Sequence, residues 1–148
     1  MALTMQAPRD SFATNQRRFV PVSGSMSKWV QKVVGSGYHE YRGDRAWLPA
    51  INVYEGPSRY AVVVDLGGVR GEEIQLHTEN GMLLLSGQRP TPVPPETGEP
   101  GRDIRIHLME IDHGPFCRSI ELPPDADENK IAASYRCGFL WVLIPKKQ

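Results

Sequence analysis

Punctuation is what most limits how this chain can fold. From Ala50 onward, turn signals cut the sequence into strand-length pieces. "INVYE" (51–55) meets Gly56-Pro57, and "YAVVVDL" (60–66) meets Gly67-Gly68. In "EIQLHTE" (73–79), Ile74, Leu76 and Thr78 fall on one face and Gln75, His77 and Glu79 on the other, the period-two pattern of a half-buried strand. Asn80-Gly81 then separates it from "MLLLSGQR" (82–89); both turn residues tolerate positive φ, which predicts a tight hairpin. "FCRSIEL" (116–122) stops at Pro123-Pro124, and "DADENKI" reads as a short helical turn with an acidic start. "AASYR" and "FLWVLI" flank Cys137-Gly138, where Gly138 is expected to supply positive φ. Many short strands with little helix between them predict an all-β fold, an immunoglobulin-like antiparallel β-sandwich.

The last of these strands carries a surplus. Phe139, Trp141 and Leu143 project to one side of "FLWVLI" and Leu140, Val142 and Ile144 to the other, so both faces are apolar. A two-layer sandwich uses one apolar face per strand, and the second must be covered by something else.

Two regions break the strand pattern. Residues 90–100, "PTPVPPETGEP", hold five of the chain's thirteen prolines. Proline has no N–H for a sheet ladder, so this is a stiff extended loop leading into "IRIHLME". Residues 1–46 form an arm of different character, with seven Lys/Arg against three Asp/Glu, while 47–148 holds ten against fourteen. Within the arm, Met26, Trp29, Val30, Val33 and Val34 recur at helical spacing. An amphipathic helix is expected over 25–35, with Ser25 as N-cap and Gly35 as its stop. It has three readings: packing inside an oligomer, binding clients, or lying on a membrane.

Function classes are excluded on chemistry. The charge balance falls short of a nucleic-acid binder, and no apolar run is long enough to span a bilayer. "MALTMQAPRDSF" lacks the basic and apolar regions of a secretory signal, and two cysteines make no disulfide framework. A cytoplasmic location is therefore expected. His39, His77, His107 and His113 show no metal-ligand spacing with Cys117 and Cys137. There is no phosphate-binding G-x-x-x-x-G-K-[ST] and no G-x-S-x-G nucleophile elbow. "RGD" at 42–44 is a tripeptide that recurs by chance, and "GSG" at 35–37 lacks a dinucleotide-site setting. No enzyme, no cofactor and no metal is expected.

Three motifs in order carry a resemblance. "VVVDLGGVRGEEIQLHTENGMLLLSGQR", "EIDHGPFCRSIELP" and "IAASYRCGFLWVLIPK" follow the pattern of the α-crystallin domain of small heat-shock proteins, across about 100 residues from Trp47 to Lys146. Gly67 stands where the family has Pro, Ile111 where it has Arg, and Cys137 and Phe139 where it has Asn and Val. The resemblance implies an ATP-independent holdase chaperone of the stress response, which binds non-native client proteins and assembles into homo-oligomers; no nucleic acid or membrane partner is expected. The alternative is a non-catalytic scaffold or co-chaperone-type adaptor that binds one folded partner.

The resemblance also implies sites. A groove lined by Ile74, Leu76, Ala133 and Tyr135 would accept an apolar segment. A strand-exchanged dimer would use the bacterial and plant crossing arm, 90–109, through Ile104, Ile106 and Leu108. Arg118 falls on the family's strand arginine near the dimer contact; the alternative is an ordinary solvated arginine. The sequence as given stops after Lys146-Lys147-Gln148, without the family's Ile-x-Ile tail. Val20 and Val22 of "VPV" are then the expected groove-docking pair, and Phe12, Phe19, Met26, Trp29, Val30 and Val33 the client-binding surface of the arm.

Overall fold

The computed structural model describes residues 47–93 and 107–148. The 25–35 stretch, the arm positions Phe12, Phe19, Val20, Val22, Met26, Trp29, Val30 and Val33, and Ile104 and Ile106 lie outside the described residues. Seven strands are present among them: β1 (Ile51–Glu55), β2 (Arg59–Asp65), β3 (Ile74–Glu79), β4 (Met82–Arg89), β5 (Gly114–Glu121), β6 (Ala132–Arg136) and β7 (Phe139–Pro145). They form two antiparallel sheets, one of four strands in the order β1-β2-β7-β6 and one of three in the order β3-β4-β5. This is the expected all-β sandwich.

Alternation decides which side chains meet between the sheets. Tyr60, Val62 and Val64 from β2 and Leu140, Val142 and Ile144 from β7 turn inward, against Leu83 and Leu85 of β4 and Phe116 and Ile120 of β5. Fully burying a side chain of this size contributes about 1.5–3 kcal/mol, so these central strands supply most of the driving force. A one-residue slip in either register would turn the set outward.

Local chemistry holds the registers. Asn80 (φ 51°) and Gly81 (φ 74°) close the β3–β4 hairpin, and Cys137 (φ 52°) and Gly138 (φ 80°) close β6–β7 in the same left-handed region. Gly138 is needed twice over, because a Cβ there would also lie 2.9 Å from the Gly67 Cα. The Leu66 N–H donates to the Gly138 carbonyl at 2.7 Å, so this tip is bound to the end of β2. The acidic start of "DADENKI" becomes a single 3₁₀ turn, Glu128–Lys130, with the Asp127 carboxylate accepting from the Asn129 N–H at 3.3 Å.

Trp47 starts the described domain at the other sheet. It forms a parallel bridge with Phe116, and its N–H donates to the Pro115 carbonyl at 3.1 Å. Four residues later the chain is in β1, so the edges of β5 and β1 lie on one side of the sandwich. The edges of β3 and β6 lie on the other.

Candidate functional site

Strand edges are the first candidate surface. Among the described residues nothing extends the ladders beyond β3, β6 or β1, and β5 carries only the Trp47 bridge. Such edges present unpaired N–H and C=O groups and template pairing with other chains unless covered. Ile74 and Leu76 on β3 and Ala133 and Tyr135 on β6 fall on these two facing edges. Ile74, Leu76 and Ala133 are buried members of the core, with Tyr135 packed against it. The Tyr135 hydroxyl lies 2.6 Å from the Val69 carbonyl and 2.8 Å from that of Leu66. It ties β6 to the connection between β2 and β3, and burial raises its pKa, which keeps the donor proton on.

Of the residues expected at a dimer contact, Leu108 and Arg118 are described, and they stand in contrasting surroundings. Leu108 is 77% exposed, with Ile111 at 61% and Met109 at 48%, and residues 107–113 carry no strand. The "IRIHLME" strand is therefore not formed over its described part within this single chain. Arg118 turns inward from β5 and is only 9% exposed, so it is not a solvated strand arginine. Its Nη1 donates to the Pro49 carbonyl at 2.6 Å, and its buried Nε has no hydrogen-bond partner among the described residues. Burial pushes its guanidinium pKa down.

A cluster at Trp47 went unforeseen in the sequence. The Trp47 ring packs edge-on against Phe116 with centroids 5.3 Å apart, and the Arg89 guanidinium carbon sits 3.8 Å above it. The Trp47 indole N–H donates to the Gly114 carbonyl at 3.1 Å, and Arg89 Nη1 donates to the Asp112 carbonyl at 2.9 Å. Gly87 lies beneath: a Cβ there would come 2.5 Å from the Phe116 ring and even closer to the Glu73 carbonyl. The glycine and arginine two residues apart in "SGQR" were the available signal, since they form the floor and lid of this cluster.

The two outer faces of the sandwich differ in kind. The three-stranded sheet turns Gln75, His77, Glu79, Ser86, Gln88, Ser119 and Glu121 outward, with Met82, Leu84 and Cys117 half-buried among them, a mixed surface. The four-stranded sheet turns out Tyr54, Ala61, Val63, Ala132, Trp141, Leu143 and Phe139, with Asn52 and Ser134 as polar members across its middle and Arg59, Asp65 and Arg136 at its ends. Tyr54 and Trp141 stack there, centroids 6.5 Å apart, and Phe139 is 47% exposed. This is the second apolar face foreseen for β7. The arrangement offers chemistry of association: ladder edges and apolar area. Among the described residues, no three His, Cys, Asp or Glu side chains converge on a common point, and no helix is long and apolar enough to cross a membrane.

Comparison with known proteins places this sandwich. The profile of the Hsp20/alpha crystallin family matches residues 52–148. The chain is similar to small heat shock protein C4 of Rickettsia felis, 27% identical over 91% of this chain and 78% of the relative. It is similar to the 17.7 kDa class II heat shock protein of Arabidopsis thaliana, 38% identical over 64% of this chain and 58% of that protein. The second match therefore spans less than two thirds of its relative's length. A solved small heat-shock protein from Xylella fastidiosa, described as having a distinct high order structure, is 30% identical, with 69% of this chain and 88% of that chain covered and a TM-score of 0.57.

Proposed function

Because the chain belongs to the Hsp20/alpha crystallin family, we propose that it acts as an ATP-independent holdase, binding partly unfolded proteins and keeping them from aggregating. The observation that carries this reading is apolar surface beyond what the core uses. Phe139, Leu108, Met109 and Ile111 stand exposed beside open strand edges. Apolar area is non-directional and roughly additive in its effect, which suits a binder of many unrelated non-native chains. The arm's Phe12, Phe19, Met26, Trp29, Val30 and Val33 add to it in this proposal.

Assembly follows from the same surfaces. In the proposed dimer, the segment holding Ile104, Ile106 and Leu108 pairs with the free edge of the partner's β1, close to Arg118. The groove between the β3 and β6 edges receives Val20 and Val22, whose apolar-x-apolar spacing turns both to one side of an extended backbone. Burying two valines contributes about 2–4 kcal/mol before ordering costs, so this contact links subunits through avidity rather than alone.

Light scattering tests the function. A thermolabile client heated with near-stoichiometric chain should stay clear, equally with and without ATP, and removing residues 1–46 should weaken the protection strongly. Aggregation at every ratio, or protection only with nucleotide, overturns the reading. A chain that protects no client and stays monomeric at all temperatures would point to an adaptor instead.

A further inference from the structure

The outer faces of the sandwich differ: that of the three-stranded sheet sets Met82, Leu84 and Cys117 among polar side chains, and that of the four-stranded sheet is apolar across its middle. An apolar outer face contributes nothing to a free-standing two-layer domain and exposes it to self-association. The same chain holds a second apolar surface in search of a counterface, the stripe at 26, 29, 30, 33 and 34. We propose that the outer face of the four-stranded sheet is the seat of the chain's own 26–34 stretch.

Size and reach fit. An eleven-residue helix is about 16 Å long, and four strands spaced at about 4.8 Å make a sheet roughly 19 Å wide. The arm enters the domain at Trp47, on the β5 side, where the edge of β1 is also found. From there to a helix resting on the outer face is about 30 Å or less, given ~10 Å between sheets and ~10 Å from sheet to helix axis. The eleven residues between Gly35 and Trp47 span roughly 40 Å when extended. Arg59 and Arg136 flank the apolar face on β2 and β6, with Asp65 at the end of β2 beside Phe139. Lys28 and Lys32 fall opposite the apolar stripe on a helical wheel, so a seated helix turns both away.

Seating does not depend on the chaperone reading.

Cross-linking tests the seat in the full chain. Val33→Cys and Phe139→Cys are combined in a Cys117→Ser, Cys137→Asn background and treated with a short bismaleimide. A control pairs Val33→Cys with Ser86→Cys on the outer face of the three-stranded sheet. Denaturing mass spectrometry should find the within-chain adduct at 33–139 in several-fold higher yield than at 33–86. Equal yields, no adduct, or adducts only between chains overturn the proposal; the last would mean that a second copy occupies the face. Client protection is measured on the unsubstituted full chain, so a seated stretch without protection would sink the chaperone reading and leave the seat standing.

Discussion

Replacing Gly87 with Ala puts the packing account at risk in a direction that simple propensity would not choose. Gly87 has ordinary strand geometry, and a strand glycine changed to alanine normally gains about 0.5–1 kcal/mol. Here the added methyl would sit 2.5 Å from the Phe116 ring, well inside the ~3.5–4.0 Å of carbon–carbon contact, and close against the Glu73 carbonyl. Neither neighbour yields cheaply. Phe116 is buried beneath Trp47, and Glu73 leads directly into β3. Overpacking of this kind costs about 1–3 kcal/mol, and two hard contacts put the net loss near the upper end, ~2–3 kcal/mol. For a domain of this size that lowers Tm by roughly 10–20 °C. Urea and thermal unfolding at fixed protein concentration measure it. Phe116→Leu in the same chain withdraws the ring tip, so the double variant should be less destabilised than the sum of the singles by about 1 kcal/mol or more. A neutral or stabilising Gly87→Ala, or strictly additive singles, would refute the reasoning.

Two further outcomes are expected. Arg118→Ala strands the Pro49 carbonyl and removes a buried side chain, which should destabilise by about 2–3 kcal/mol in urea unfolding, while Arg118→Lys keeps one donor and loses less. Tyr60 and Tyr135 both have pKa values raised above the ordinary 10.0, first by burial and for Tyr60 next by its hydrogen bond to Asp125. The unfolded chain therefore ionises first as pH rises: stability is full below about pH 10 and falls above it, through the folded values. Urea midpoints from pH 9 to 11 should decline, and Tyr60→Phe or Tyr135→Phe should each flatten the decline.

What the sequence makes legible is what local chemistry decides. Period-two alternation in "EIQLHTE" and the Asn80-Gly81 signal are complete within a few residues, and β3 and its hairpin form where they point. The doubled apolar pattern of "FLWVLI" announces β7 as the strand with an outer apolar face. Arg118 is different, because its burial depends on Pro49, 69 positions away, crossing over it. The Trp47 cluster joins residues from 47, 87, 89 and 116 in the same manner, and no window of sequence contains it. In the sequence, "IRIHL" (104–108) alternates like a strand, yet residues 107–113 carry no strand, since alternation reports a strand's faces and not who will pair with its edges.

The proposed chaperone role is tested most directly by weighing what is left in solution after heat. A thermolabile client is warmed with the chain at near-equal subunit ratio without nucleotide, cooled, and resolved by size-exclusion chromatography with light-scattering detection. A holdase predicts client and chain eluting together in a soluble complex much larger than either alone. Client lost to the pellet, with the chain eluting at its unheated mass, would contradict it.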